Sequence, residues 1–168
     1  VAPVDGRIGT ETMPGVFAQI GMEYGHKYGG ANFELFAQIS EKNHAHSTLN
    51  PLAAYTKKMT LEEIMGDIMI AYPNTRPMCS ANCDGAETDT ETAAAAYARA
   101  GIGPEDLDLV ELHDCFATAE LVHYDNLMLC PEGGAVDFFK SGATWRTGRM
   151  PVNVSGGLES KGHPIAAT

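Results

Sequence analysis

The residues from 151 to 168 constrain the fold of this chain more than any other stretch. Pro151–Val154 is a short apolar run typical of a strand, and a glycine-rich segment follows it. A pair of adjacent glycines allows another chain segment or a ligand to approach the backbone closely. Pro164 suits the first turn of a helix, because the N–H that proline lacks has no partner there. The stretch therefore predicts a strand, then a glycine loop, then a helix that opens near His163.

A histidine held at the start of a helix is a candidate base. The positive end of the helix dipole disfavours protonation of the ring, so the neutral form that can accept a proton is favoured. The alternative for a single histidine is a loop residue that only hydrogen-bonds to the backbone. The length and specificity of the stretch around His163 favour the functional interpretation.

A second candidate site lies at the end of another strand. Leu107–Leu112 is typical of a buried strand, and it is followed at once by His113 and Cys115. Catalytic groups in open α/β sheets collect at such strand ends. A buried cysteine is more often a small apolar core residue, but the place of Cys115 two residues after a histidine favours function. The alternation of helices and strands predicts an α/β fold rather than an all-α one.

Start and stop signals predict helices around these strands. Pro14 suits the first turn of one helix, which the glycines at 29 and 30 end, and Asn32 caps the next. The capping box Thr60–Glu63 opens a short helix to about Met65. Later helices are predicted at 91–100, from about 114 to 129 and around Phe138. Side chains expected on inner helix faces are those of Phe36, Ile39, Phe116, Leu121 and Tyr124.

Asn43–Pro51 is expected to be a helix end that runs into a loop. His44 and His46 are two residues apart, so they cannot face each other on a helix and are not a natural pair of metal ligands. On spacing alone we interpret them as surface or capping histidines. The segment 69–83 contains two prolines and is expected to be irregular.

The charge balance and the cysteines narrow the class of protein. A formal net charge of −11 argues against nucleic acid and anionic membranes as partners. No apolar run approaches the roughly 20 residues of a membrane span. Four cysteines in a chain of this size do not resemble a disulfide scaffold and indicate a reduced, intracellular protein. A zinc site could be formed by Cys79, Cys83, His113 and Cys115. Their spacing is not a usual zinc-ligand pattern, so we predict no metal.

Three motifs, in order along the chain, resemble thiolases. Ser155–Gly157 followed by Gly162–Pro164 is similar to the C-terminal signature of that family. His113–Phe116 is similar to the signature of the sterol-carrier-protein type, in which His-Asp-Cys-Phe replaces the Asn-Glu-Ala-Phe of other thiolases. Glu41–Pro51 fits the same branch. One such motif would be modest support, whereas three in the right order are specific.

The resemblance implies a layered αβαβα thiolase fold that is incomplete in this chain. Residues 1–86 would be a portion of the loop domain, a mostly helical and irregular excursion that covers the acyl-CoA site in the family. Residues 87–168 would be an incomplete C-terminal domain. Asp84–Ala86 resembles the entry to a buried strand, yet Glu87 follows where thiolases have several dozen further residues. We therefore expect a gap in the sequence between positions 86 and 87.

The resemblance also implies Claisen cleavage or condensation of a 3-oxoacyl-CoA with CoA, in which CoA is a substrate and no cofactor is needed. His163 would activate the nucleophile and bind the thioester oxygen, and His113 would help to form a second oxyanion site. Cys115 would be the second acid/base, a task that suits a thiol because it ordinarily titrates near working pH. The acyl-accepting cysteine of the family lies in its N-terminal half, before the present residues.

Further residues and partners follow from the same resemblance. The implied substrate-binding residues are Asn43, His44, Ser155, Gly156, Gly157 and Gly162. The implied partners are acyl-CoA and CoA, a second copy of the chain in a homodimer or larger assembly, and a small acyl-CoA-binding subunit. The implied compartment is the cytoplasm, or the peroxisome in a eukaryote. The alternative is a non-catalytic or aldolase-type subunit of an acyl-CoA-processing complex, although retention of both histidines and Cys115 favours catalysis.

Overall fold

A computed structural model describes residues 13–80 and 90–162 of the chain. Its α-helices are α1 (Met13–Tyr28), α2 (Phe33–Ser47), α3 (Leu61–Met65), α4 (Thr90–Ala100), α5 (Ala117–Asn126), α6 (Ala135–Lys140) and α7 (Gly157–Lys161). Its strands are β1 (Met69–Ala71) and β2 (Asn74–Thr75), which pair antiparallel. Short 3-10 turns occupy Arg76–Met78 and Pro104–Asp106. The predicted gap at 86/87, Cys83 and His163 lie outside the described residues.

Side-chain caps fix two of the predicted helix starts. The Leu35 N–H donates to Asn32 Oδ1 at 2.9 Å, at the start of α2. At α3, the Glu63 N–H donates to Thr60 Oγ1 at 3.2 Å and the Thr60 N–H donates to Glu63 Oε2 at 2.9 Å. These bonds satisfy N–H groups that a helix start leaves without partners. Both predicted starts, and the end of α3 at Met65, are confirmed.

Helix α2 is longer than predicted, and this corrects the interpretation of its histidines. The helix continues through Asn43 to Ser47. His44 and His46 are each only 3% exposed, so they are not surface residues. Burial of this turn between neighbouring helices keeps its backbone helical, because a buried loop would leave N–H and C=O groups without partners. The loop expected over Asn43–Pro51 begins after Ser47.

Helix α5 is shorter than predicted at both ends. Phe116 is extended and forms an antiparallel bridge with Cys79, so the helix begins only at Ala117. Met128 has a φ of 55°, in the left-handed region, which stops the helix before Leu129. The segment 69–83, expected to be irregular, contains the β1–β2 hairpin and a 3-10 turn in its described part.

Neither predicted strand forms: Leu107–Leu112 and Pro151–Val154 share only one isolated bridge, and Leu109 is 48% exposed rather than buried. Val110 and Val152 form a parallel bridge, in which the Val110 N–H donates to Pro151 O at 2.9 Å and the Asn153 N–H donates to Val110 O at 2.8 Å. The ladder stops there because Asn153 has a φ of 52°. Its side chain then replaces the backbone acceptor, and the Leu112 N–H donates to Asn153 Oδ1 at 3.0 Å. The parallel bridge places the residues that follow Val110 beside the residues that follow Val152.

The sequence predicted a loop over the glycine segment, but the structure has a helix there. Gly156 has a φ of 98° and α7 begins at the next residue, Gly157, several positions before the predicted helix start. Helix α7 packs on α2, which also packs on α3 and α5, and α1 packs on α5. The core lies between these helices and includes Phe36, Ile39, Leu121, Tyr124 and Val152. None of the described helices has the length and apolarity that crossing a membrane requires.

Candidate functional site

The segment after Val110 and the segment after Val152 are joined by side-chain hydrogen bonds. Asp114 Oδ1 accepts from the Leu158 N–H at 2.6 Å, inside α7. Glu111 Oε1 accepts from the Ser155 N–H at 2.8 Å, and its other oxygen accepts from the Ser155 hydroxyl. Together with the parallel bridge, these bonds hold the His113–Cys115 segment against the glycine segment.

The glycines of this segment are required by close contacts within the protein. Gly157 has a φ of 62°, and a Cβ atom built on it would lie 1.9 Å from Asp114 Oδ2. A Cβ on Gly156 would lie 2.5 Å from the Cβ of Ser47 in α2. Only glycine accepts both the positive φ and these approaches. Gly162, with a φ of 85°, follows the last residue of α7.

A buried polar network lies beneath these two segments. Lys42 Nζ donates to Glu120 Oε1 at 2.5 Å and to Val152 O at 3.0 Å, and both charged side chains are 0% exposed. Asn43 Nδ2 donates to Asp114 Oδ2 at 3.1 Å and to Glu120 Oε2 at 2.6 Å. Asn43, a predicted substrate-binding residue, is thus fully buried, and its hydrogen bond holds the Asp114 carboxyl in place.

Glu120 is the centre of the network. Besides Lys42 and Asn43, the Asn153 amide donates to its Oε2 at 2.8 Å and the Tyr124 hydroxyl donates to its Oε1. The four donors come from α2, from α5 and from Asn153, the residue that follows the Val110–Val152 bridge. A carboxylate with this many donors is rigidly held. It therefore fixes the position of α2 relative to α5 and to Asn153.

The network contains three buried carboxyl groups and one lysine. Burial opposes ionisation of Glu120, but the charge and hydrogen bond of Lys42 outweigh it and lower the pKa of this carboxyl. Burial and the neighbouring carboxyls raise the pKa of Asp114 well above its usual range. Burial also raises the pKa of Glu159 to about 8. One lysine balances one carboxylate, and the cluster of buried acids therefore disfavours ionisation of Asp114 and Glu159.

The hydrogen bonds of the α2 histidines define their tautomers. A carbonyl oxygen only accepts, so His44 Nε2 carries the proton that it shares with Pro77 O at 3.2 Å, and His44 Nδ1 accepts from the Ser160 hydroxyl at 3.3 Å. His46 Nδ1 likewise donates to Asn153 O at 3.0 Å. Burial lowers the pKa of both rings. Both histidines are neutral at physiological pH.

His44 lines the larger of two cavities near the joined segments. This cavity has a volume of about 720 Å³. Other lining side chains are those of Tyr55, Met59, Ile70, Phe116 and Glu159. Arg76, a conceivable phosphate contact from sequence, also lines the cavity but pairs with Asp67 at 2.9 Å. The wall is therefore mostly apolar, with a few polar groups.

His113 and Cys115 occupy different surroundings. His113 lines a second cavity of about 450 Å³ together with Glu111 and His123. Burial lowers the pKa of His123 to about 4, and the nearby His113 adds to this effect. Cys115 is fully buried in an apolar cluster with Phe17 and Phe116. The thiolase resemblance implies that both residues converge on one pocket with His163, and this stays a prediction because His163 lies outside the described residues.

The sequence analysis missed most of the network, namely Lys42, Glu120, Asn153 and Glu159. Glu120 had a usable signal, because it lies four residues from both Phe116 and Tyr124, on the face predicted to point inward. Lys42 follows Ile39 at helical spacing, which was a weaker signal of the same kind. Within residues 13–80 and 90–162, no three His, Cys, Asp or Glu side chains are arranged to hold a metal ion.

Comparison with known proteins identifies the class of protein that this fold and site belong to. The Thiolase C-terminal domain-like family matches residues 77–168, which is more than half of the chain. The chain therefore belongs to the thiolase family, as the motifs predicted.

The relatives include the predicted branch. Sterol carrier protein 2 of Gallus gallus is 33% identical over 202 aligned positions, which cover 92% of this chain and 37% of that protein. Benzoylsuccinyl-CoA thiolase subunit BbsB of Thauera aromatica is 31% identical, with 93% and 51% covered. Acetyl-CoA acetyltransferase of Methanothermobacter thermautotrophicus is 30% identical, with 94% and 52% covered. The chain thus spans between about a third and a half of the length of these relatives.

A solved structure confirms the predicted fold class. The chain matches the Ltp2-ChsH2(DUF35) aldolase with a TM-score of 0.82 and 21% identity, over 92% of this chain and 53% of that one. At this identity the likeness concerns the fold alone. The many helices and the small sheet of the described residues are those of an incomplete α/β thiolase domain.

The alignment with the avian relative has more positions than this chain supplies. Of the 168 residues, 92% is about 155, so about 47 of the 202 aligned positions hold residues of the relative alone. This excess has the size of the several dozen residues expected between positions 86 and 87. The location of the gap, and the domain boundary drawn there, stay predictions.

Proposed function

We propose that the protein to which this chain belongs is a thiolase-type acyltransferase, which cleaves or forms a 3-oxoacyl-CoA by Claisen chemistry with CoA. The observation that carries this proposal is the joining of the His113–Cys115 segment to the glycine segment that leads to His163. These are the two motifs of the family, and Asp114 bonds directly from one to the other at 2.6 Å. The family relatives support the same reaction class.

The proposed roles follow the order of bond changes in the cleavage direction. A cysteine from the N-terminal half attacks C3 of the substrate, with His163 as its base, and the C2–C3 bond breaks. Cys115 delivers a proton to C2, which leaves as the shorter acyl-CoA. The CoA thiol then takes the acyl group from the nucleophile. Donors around His113 and His163 stabilise the negative oxygens of these steps.

The remaining predicted residues fit the substrate side of this site. Asn43 positions Asp114, and His44 lines the larger cavity. Ser155 and the glycines at 156, 157 and 162 form the segment whose backbone lies beside the motif loop. CoA enters as a substrate, and the reaction needs no bound cofactor.

The test of this proposal uses the intact protein. With a 3-oxoacyl-CoA and CoA, we expect two shorter acyl-CoA products in equal amounts, measured by chromatography. The substrates span a range of acyl chain lengths. Absence of products with every substrate would contradict the assigned reaction.

Replacing Cys115 by alanine should separate the two half-reactions. We expect the carbon–carbon bond step to slow by about 100-fold or more, the effect of removing one acid/base group. Acylation of the nucleophile, measured as a mass increase after exposure to an acyl-CoA, should persist. Cys130→Ala is the matched control, because Cys130 donates to Asp125 away from both motif segments. Equal loss of both half-reactions in Cys115→Ala would refute the role.

An aldolase-type or non-catalytic subunit is the second candidate, and the fold likeness to the Ltp2-ChsH2(DUF35) aldolase favours considering it. A retro-aldol reaction would break the C2–C3 bond of a 3-hydroxyacyl-CoA, turn its hydroxyl into a carbonyl and protonate C2, without added CoA. Release of a carbonyl compound from that substrate would select the aldolase. Binding of acyl-CoA without turnover of either substrate would select the non-catalytic subunit.

We also propose a homodimer or larger assembly and a small acyl-CoA-binding partner subunit. The Thauera aromatica relative is named a subunit, which supports a partner in this family. The cytoplasm, or the peroxisome in a eukaryote, is the proposed compartment. A monomeric mass of the intact protein in solution would contradict the assembly.

A further inference from the structure

His46 is a buried residue of α2 that none of the roles above uses. Its side chain is 3% exposed, and both of its ring nitrogens have partners. Nδ1 donates to Asn153 O at 3.0 Å, and Nε2 accepts from the Arg146 N–H at 3.2 Å. Only the neutral ring with its proton on Nδ1 satisfies both partners. His46 therefore connects α2 to two segments that lie 107 and 100 positions away.

Arg146 contacts the same stretch of backbone through its side chain. Its Nη1 donates to Val154 O at 3.2 Å, and Val154 directly follows the residue that His46 contacts. The backbone N–H of Arg146 is the donor to His46, so the two residues also hold each other. We call His46 and Arg146 the clamp. The clamp contacts two successive carbonyl oxygens, those of Asn153 and Val154.

The turn that carries Arg146 is a firm support for the clamp. The Gly148 N–H donates to Trp145 O at 2.7 Å, which closes the turn. A Cβ atom built on Gly148 would lie 2.2 Å from Ala143 O, so the turn packs closely on its own base. The rings of Trp145 and His46 meet edge to face, with their centroids 5.8 Å apart. The position of Arg146 is therefore defined by packing as well as by hydrogen bonds.

The clamp acts on a strained part of the backbone. Asn153 has a φ of 52°, a left-handed value that residues other than glycine seldom adopt. Its carbonyl oxygen also accepts from the Gly156 N–H at 3.0 Å, and this Asn153–Gly156 turn leads directly into α7. Strained conformations persist only where the surrounding structure holds them. The clamp is therefore placed to hold the turn from which α7 begins.

We propose that His46 is a positioning residue of the candidate site, whose neutral ring holds the Asn153–Gly156 turn together with Arg146, and that protonation of this ring opens the turn. The effect on reaction rate rests on the proposed function, because the turn begins the segment that leads to His163. The opening of the turn is independent of that function and can be measured without a substrate.

The direction of the pH dependence follows from the two hydrogen bonds of the ring. Protonation places an N–H on Nε2, where it faces the N–H of Arg146, so two donors then oppose each other. Burial lowers the pKa of His46 below its usual range, so the ring is charged only under acid conditions. The charged groups that face it are Lys42 of α2, Glu120 of α5 and Arg146. Lys42 and Arg146 oppose protonation, whereas Glu120 favours it.

The first experiment measures amide hydrogen exchange of the intact protein by mass spectrometry, corrected for the intrinsic effect of pH on exchange. The pH is lowered from neutral to the lowest value at which circular dichroism shows that the fold is kept. In wild type, residues 153–157 should then exchange about tenfold faster, the order expected for one lost hydrogen bond.

His46→Phe removes both hydrogen bonds while a ring still faces Trp145. Its residues 153–157 should exchange fast at every pH, because the clamp cannot form. His26→Phe, the same substitution at an exposed position of α1, is the matched control and should behave as wild type.

The second experiment measures the proposed thiolysis over the same pH range. The kcat of wild type should exceed that of His46→Phe by about tenfold at neutral pH, because small misplacements of reacting groups are costly. The ratio of the two values should fall towards one in acid, where the turn is open in both proteins. Taking the ratio removes the titration of catalytic groups that both proteins share. A histidine that only fills space would give a ratio that does not change with pH.

The outcomes separate this inference from the proposed function. If exchange at residues 153–157 of wild type does not respond to acid, the clamp is refuted, even where His46→Phe fails to fold. If exchange responds as expected but wild type turns over no substrate, the proposed function fails and the opening of the turn is supported. If both exchange and thiolysis are observed but the kcat ratio is constant with pH, the positioning role of His46 is refuted.

Discussion

Lys42→Met should destabilise the protein by about 3–5 kcal/mol, the cost of leaving a buried carboxylate without its cation. Lys42 and Glu120 are both 0% exposed and pair at 2.5 Å. Methionine fills most of the space of the lysine stem, so the loss comes from charge rather than from a cavity. Val152 O also loses a donor, because Lys42 Nζ reaches it at 3.0 Å. Denaturant unfolding of the intact protein measures the change in the free energy of unfolding.

Two further variants test whether the unpaired charge of Glu120 causes the loss of stability in Lys42→Met. Adding Glu120→Gln to Lys42→Met removes the unbalanced carboxylate and should recover part of the lost stability. Lys161→Met breaks a half-exposed pair with Glu111 at 3.4 Å and should cost less than about 1 kcal/mol. If Lys42→Met costs no more than Lys161→Met, the buried pair does not hold α2 against α5 and the segment at Val152.

The sequence predicted those parts of the fold that depend on neighbouring residues. The caps at Asn32 and Thr60 act over three residues, so their signals are complete within the sequence. The apolar runs around Val110 and Val152, each followed by a histidine-bearing motif, do meet, but as one isolated bridge rather than as the two predicted strands.

The sequence could not predict the parts that depend on distant partners. Lys42 and Glu120 are 78 positions apart, and nothing local says which of many carboxylates meets the lysine. Helix α7 begins early because Asp114 accepts from Leu158, 44 positions away. The buried histidines of α2 were misread for the same reason, since their acceptors, Pro77 and Asn153, come from other segments.

The network also explains why two glycines, a lysine and three acids occur together in one small region. Glu120 gathers donors from α2, α5 and Asn153, and Asp114 extends that framework to α7. The candidate site is thus held by a polar core rather than by a continuous sheet. A change that separates α7 from Asp114 should therefore disturb both motif segments at once.

Gly157→Ala should produce that separation. The residue has a φ of 62°, and the added Cβ would lie 1.9 Å from Asp114 Oδ2, so the fully buried Asp114 or α7 must move. The left-handed backbone alone costs about 1–2 kcal/mol with alanine. We expect the displacement to add to this cost, and to lower the rate of the proposed thiolysis by about 100-fold, the effect of a shift of about 1 Å at a reacting geometry.

Gly142→Ala is the matched control for this prediction. Gly142 has a φ of 79° and no atom within 4 Å of a built Cβ, so alanine there carries the backbone cost without a clash. The difference between the two variants in unfolding free energy and in thiolysis rate isolates the contact with Asp114. Asp114→Ala in the Gly157→Ala background removes the clashing oxygen and should bring stability closer to that of Asp114→Ala alone. Equal effects of Gly157→Ala and Gly142→Ala on both measurements would show that the approach of α7 to Asp114 does not fix the site.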